Sequence, residues 1–98
     1  MEHAGGWAFL TSHARVLLAI ASDPFARFRD IAAACHLSER TAHKIVSDLE
    51  GAGYLSRERD GRRTHYTLHL DSTLRHPAEA HLTVRRLLSL VTHPASER

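Results

Sequence analysis

Near its middle the chain changes period. From Ser38 to Ala52 apolar residues recur at helical spacing, and from Tyr54 to Leu70 they alternate two by two around Asp60-Gly61. Neither pattern can be worn by the other kind of element without turning core residues to water. The segment must therefore be a helix that runs almost directly into a β-hairpin. At about 100° per residue Ala42, Ile45, Val46 and Leu49 gather on one side of the helix. Arg40, Lys44, Ser47 and Gly51 gather on the other. Ser38 is the residue type that caps a helix N-terminus, and Gly53 the type that stops one in the left-handed conformation. The strands are expected over Tyr54 to Arg59 and Arg63 to Leu70, with Tyr66, Leu68 and Leu70 facing the core and His65, Thr67 and His69 facing water.

The flanks supply further helices. Thr11 or Ser12 can open one over residues 12–22, whose centre from Val16 to Ala21 is apolar all the way round and so calls for burial on several sides. Asp23-Pro24 ends it. A short strand is expected over Ala26 to Phe28 and a second helix over Arg29 to Cys35, joined to the central helix through His36-Leu37. Pro77 suits the first position of a last helix reaching Thr92, with Ala80, Val84, Leu87, Leu88 and Val91 as its apolar stripe. The expected order is helix, strand, helix, helix, strand, strand, helix: a mainly α, α+β single domain over residues 1–98.

A chain of 98 residues, 43% hydrophobic, covers less of its own surface than a larger domain does. Apolar groups in excess of a small core are Trp7, Phe9 and Leu10 before the first helix, Leu17 and Leu18 within it, and Leu82 and Leu90 near the last. They predict a homodimer with the two chain ends at the interface. Net charge is only +2, so the placement of cations matters more than their sum. Four arginines frame the hairpin tip, Arg57-Glu58-Arg59-Asp60-Gly61-Arg62-Arg63, and guanidinium groups suit phosphate and narrow minor grooves. Arg57 and Arg59 have neighbouring acids, Glu58 and Asp60, as possible partners; Arg59, Arg62 and Arg63 are the candidate nucleic-acid contacts.

The run Asp30-Ile31-Ala32, then Leu37-Ser38-Glu39-Arg40-Thr41-Ala42, then Ile45-Val46-Ser47-Asp48-Leu49-Glu50 and Gly51-Ala52-Gly53-Tyr54-Leu55 resembles the winged helix-turn-helix regulators of the ArsR/MarR type. The resemblance spans about Ser12 to Leu70. It implies a recognition helix in the major groove of double-stranded DNA and a wing on the backbone or minor groove. In this chain Arg40 would reach a base edge, Lys44 a base or phosphate, Ser47 would permit close approach, Thr41 and His43 would flank, and Ser38 would combine capping with a phosphate contact. The second helix of the family often opens on Ser or Thr; Arg29 stands there instead and would take over that phosphate contact. The main alternative is a winged-helix protein-interaction module, because a fold does not dictate a function. RNA or single-strand binding ranks lower, since the wing offers no outward aromatic platform.

Nine histidines and one cysteine invite a search for metal, as some ArsR-type relatives sense metals. The paired cysteines of the arsenic and cadmium sensors are missing, and His76, Glu79 and His81 do not share a helical face as an i, i+4 pair would. No metal or cofactor is expected, and any effector is unidentified. Cys35 reads as a small core residue. No catalytic constellation emerges, so an enzyme is not expected. With no leader-like or membrane-spanning segment, a soluble cytoplasmic protein is expected, nucleoid-associated in a prokaryote.

Overall fold

The computed structural model describes residues 6–91. Three helices pack into the core: α1 (Ser12–Ser22), α2 (Phe28–Cys35) and α3 (Glu39–Gly51). Thr11 caps α1 by accepting the Ala14 amide at 3.1 Å, and Val16, Leu17 and Ile20 form its inward face. Helix α2 ends on His36 in the left-handed conformation (φ 59°). The amide of Leu37 then reaches back to the Ala32 carbonyl at 2.9 Å and that of His36 to Ala33 at 3.3 Å, the paired bonds of a Schellman stop. This closes the turn before α3 in two residues. Ser38 caps α3 as expected, accepting the Thr41 amide at 3.1 Å. Gly53, at φ 87°, ends the helix region, with the Tyr54 amide on the Leu49 carbonyl at 2.9 Å.

The wing consists of β1 (Leu55–Asp60) and β2 (Arg63–Leu68), antiparallel, with Leu55 opposite Leu68 and Asp60 opposite Arg63. The turn residues are Gly61-Arg62, one place later than the expected Asp60-Gly61. Gly61 takes φ 68° at the first central position, where a two-residue hairpin of type II′ needs glycine. Leu55 and Tyr66 are buried and anchor the wing's base. Tyr66, Leu68 and Leu70 turn toward the core and Thr67 outward. His65 and His69, expected in water, are half-buried. His69 donates from Nδ1 to the Gly53 carbonyl at 2.7 Å, while its Nε2 lies 2.8 Å from the Ser56 hydroxyl. Local hydrogen-bond partners thus hold an imidazole that alternation alone would expose.

Two expected elements are corrected. Residues 26–28 are not a strand. The Asp23 carboxylate accepts the Phe25 amide at 3.1 Å and the Asp23 carbonyl accepts Ala26 at 3.0 Å, so the chain turns and Phe28 already begins α2. A backbone bond does link the preceding Pro24 to β2, from the Tyr66 amide to the Pro24 carbonyl at 3.0 Å. It lays this loop along β2. The last helix does not run from Pro77. Pro77–Glu79 is a single 3₁₀ turn capped by His76 Nδ1, Ala80 is exposed, and α4 covers Val84–Val91. The Thr83 hydroxyl accepts the Arg86 amide at 3.2 Å, and an isolated bridge pairs Thr83 with Thr73; capping and pairing at Thr83 place the start there. Thr92 lies outside the described residues.

The core joins all these elements: Val16 and Ile20 of α1, Ile31 and Cys35 of α2, Ala42, Ile45 and Val46 of α3, Leu55 and Tyr66 of the wing, and Val84 of α4. Among the described residues no charged or polar side chain is buried with them. The fold is a winged helix of α+β class.

Candidate nucleic-acid interface

Burying Ala42, Ile45, Val46 and Leu49 leaves α3 only one way to face. Arg40, Thr41, His43, Lys44 and Ser47 are all exposed on it. Among the described residues Arg40 meets no carboxylate. Lys44 lies 3.4 Å from Asp48 one turn on, with 76% of its side chain exposed. So open a pair is weak and readily exchanged for another anion. Asp48 is also hydrogen-bonded to His13 Nε2 of α1 at 2.8 Å. The His13 bond, then the Lys44 contacts, hold the Asp48 carboxyl below its ordinary range, while partial desolvation works against them.

The cap residue and its neighbour form a relay. Ser38 Oγ lies 3.0 Å from Thr41 Oγ1 while accepting the Thr41 amide. With the Ser38 hydrogen directed to Thr41, the Thr41 hydroxyl becomes the outward donor of the pair. His43, expected simply to flank the exposed face, stacks on Phe28 with ring centroids 3.5 Å apart and planes at 19°. One edge of the exposed face of α3 is therefore pinned to α2. Arg29 is exposed on α2.

On the wing, Arg59, Arg62 and Arg63 are exposed. Arg59 and Arg62 have no carboxylate partner among the described residues. The Arg63 guanidinium lies 4.9 Å from the Phe25 ring centroid. Arg57 differs from its neighbours. It pairs with neither Glu58 nor Asp60 but with Glu50 in the last turn of α3, through Nε at 3.0 Å and Nη2 at 2.8 Å. It also lies 5.9 Å from the Phe28 ring centroid. Glu58 meets its cross-strand partner His65 at 3.1 Å. One ion pair thus ties α3 to the wing. Sequence spacing did not reveal it, because nearer acids compete on paper and the turn after α3 decides which one Arg57 reaches.

A match to the model of the MarR family covers residues 9–63, just over half the chain, from before α1 to the wing tip. The chain belongs to the MarR family. MarR-family proteins are DNA-binding transcription regulators of winged-helix architecture, and the elements carrying the exposed cations are those this architecture uses. A comparison with curated proteins found no match.

Of the apolar residues expected between MarR-type subunits, Trp7 and Phe9 are 63% and 90% exposed and Leu90 78%. The two rings meet edge to face at 5.0 Å. Arg15 of α1 donates to the Leu10 carbonyl at 2.7 Å and so ties this segment to the domain. Leu10, Leu18 and Leu82 are half-buried. Leu17 is 3% exposed within the chain's own core, leaving it almost no surface for a second chain. Cys35 is buried, and burial raises its thiol pKa. Among the described residues no three His, Cys, Asp or Glu side chains come together in a metal-binding arrangement, and no helix is long and apolar enough to cross a membrane.

Proposed function

We propose that this MarR-family protein binds double-stranded DNA sequence-specifically as a homodimer, with α3 in the major groove and the wing on the backbone or minor groove. The observation that carries the reading is the pairing of an exposed Arg40-Lys44-Ser47 face with a wing whose Arg59 and Arg62 lack carboxylate partners among the described residues. Arg40 contacts a base edge, preferably guanine. Lys44 exchanges Asp48 for a phosphate or base, and Thr41, Arg29, Arg62 and Arg63 contact backbone, which positions without specifying. His43, stacked on Phe28, orients the helix more than it reads. The Trp7-Phe9-Leu10 segment, Leu18, Leu82 and Leu90 form the subunit interface and set two recognition helices about one helical turn, roughly 34 Å, apart on a near-palindromic site.

The test is a binding isotherm on a site selected from random DNA. Arg40→Ala weakens specific binding by about 1–3 kcal/mol and relaxes one base position. Arg62→Ala weakens specific and random duplex alike and flattens the salt dependence. If neither substitution moves the isotherm, the assigned surface is wrong. Light scattering at micromolar concentration tests the dimer separately: a species of only 11.0 kDa, the mass of one chain, defeats it.

A further inference from the structure

Beside the wing lies a cleft of about 450 Å³ lined by Phe25, Arg27, Arg62, Arg63 and Thr64. We infer that this cleft is a phosphate site that takes a backbone phosphate of duplex DNA, adding the Phe25–Arg27 loop to the wing as a contact. The inference rests on the DNA-binding reading above and extends it to residues outside the recognition helix and wing tip.

The cleft exists because of one backbone bond. The Tyr66 amide donates to the Pro24 carbonyl at 3.0 Å, and this lays the loop along β2 and brings Arg27 beside Arg62 and Arg63. Three arginines then line one concavity whose lining contains no carboxylate. The acids nearest in sequence, Asp23, Asp30, Glu58 and Asp60, are not part of that lining. Asp23 accepts the Phe25 amide, Glu58 meets His65, and Asp60, opposite Arg63 in the strand register, is not part of the lining. Convergent cations without a counter-charge repel one another, and an anion between them reverses the sign of that energy. A phosphate with its several acceptor oxygens matches planar guanidinium forks better than a single carboxylate does, and Thr64 adds a neutral donor.

Phe25 gains a reason in this arrangement. It is 47% exposed and lines the cleft. Its ring carries the Arg63 guanidinium at 4.9 Å and rests 5.4 Å from His65, which Glu58 holds. The ring limits the freedom of Arg63 before any ligand arrives, so less entropy is lost on binding. A duplex is the fitting source of the phosphate because two of the three arginines belong to the wing, which a DNA bound on α3 already meets.

The experiment uses the full chain, a selected-site duplex and a random duplex, between about 50 and 200 mM salt. Arg27→Ala and the bulkier Arg27→Gln should each weaken both duplexes by the same factor, leaving the specificity ratio unchanged. Loss of one phosphate contact lowers the salt slope by about 0.9, so the wild-type advantage should shrink by about 3.5-fold across that salt range. Phe25→Ala should weaken both duplexes too, with a smaller change in slope, since no charge is lost. Both Arg27 variants, folded by circular dichroism, matching wild type in affinity and slope would overturn the site alone. A loss confined to the selected duplex would also overturn it, by assigning Arg27 to the positioning of α3. An Arg27-dependent thermal shift with inorganic pyrophosphate, alongside unchanged DNA binding, would assign the cleft to a free phosphate and overturn the duplex as its occupant. A wild-type chain that bound neither duplex would refute the DNA reading itself, and this site with it.

Discussion

The Glu50–Arg57 pair joins α3 to the wing, and its strength can be worked out. Both Arg57 donors converge on one Glu50 oxygen, at 2.8 and 3.0 Å, and the side chains are 32% and 39% exposed. Hydrogen bonds to charged groups contribute about 1.5–3 kcal/mol when sheltered, and exposed ion pairs about 0.2–1 kcal/mol. Exposure of about a third places the coupling at the upper end of the exposed range, at about 1 kcal/mol. A carboxylate in the last turn of a helix also opposes the helix dipole, by about 0.3–1 kcal/mol. Glu50→Ala relieves that opposition, so by itself it should cost less than Arg57→Ala, which additionally removes packing near Phe28. A double-mutant cycle separates the pair from these side effects. Wild type, Glu50→Ala, Arg57→Ala and the double variant should be unfolded in urea at one protein concentration, because association would shift all four midpoints. The expected coupling is about 1 kcal/mol, equivalent to about 4–8 °C in Tm for a domain of this size. Hydrogen exchange in β1 should quicken in each single variant. A coupling below about 0.3 kcal/mol would refute the reasoning.

Three further outcomes follow from the packing and the titrating groups. Asp48 has a lowered pKa in the fold, so its stabilising effect is full above the ordinary carboxylate value of about 3.9 and is lost as pH falls through the lower folded value. The urea-stability gap between wild type and Asp48→Asn should therefore stay level from about pH 7 to 5 and close toward about pH 3 and below; a gap that ignores pH would contradict it. Leu55 is 1% exposed at the root of the wing, and Leu55→Ala should cost about 2–5 kcal/mol in unfolding free energy, a large share for so small a domain; a loss under about 1 kcal/mol would mean that the wing base collapses to fill the space. The Cys35 thiol is buried with a raised pKa, so a thiol reagent should modify the native chain far more slowly than the urea-unfolded one, and equal rates would show that α2 opens freely.

The sequence by itself determined the elements whose signals are local. The period change at Gly53, the Ser38 cap and the turn-forming Asp60-Gly61 specify α3 and a hairpin, though not the turn's position to the residue, because side-chain alternation and left-handed glycine are properties of a few consecutive residues. The same periodicity named the outward face of α3, so Arg40, Lys44 and Ser47 were legible before any packing was known. Tertiary structure alone decided what lay between elements. The Ala26–Phe28 segment carries strand-like residues, yet the Asp23 turn and the early start of α2 take it out of the sheet, and the backbone bond to β2 comes from Pro24 before it. Pro77 is a good helix opener, yet the Thr73–Thr83 bridge and the Thr83 cap put α4 further on. Leu17 looked like surplus apolar surface, but the packed chain leaves it 3% exposed. Arg57, Phe28 and Phe25 carried no sequence signal of their roles, because each depends on a partner from another element. A contact across elements depends on how the chain folds back, and only the packed core of Val16, Ile31, Val46, Leu55 and Tyr66 settles that.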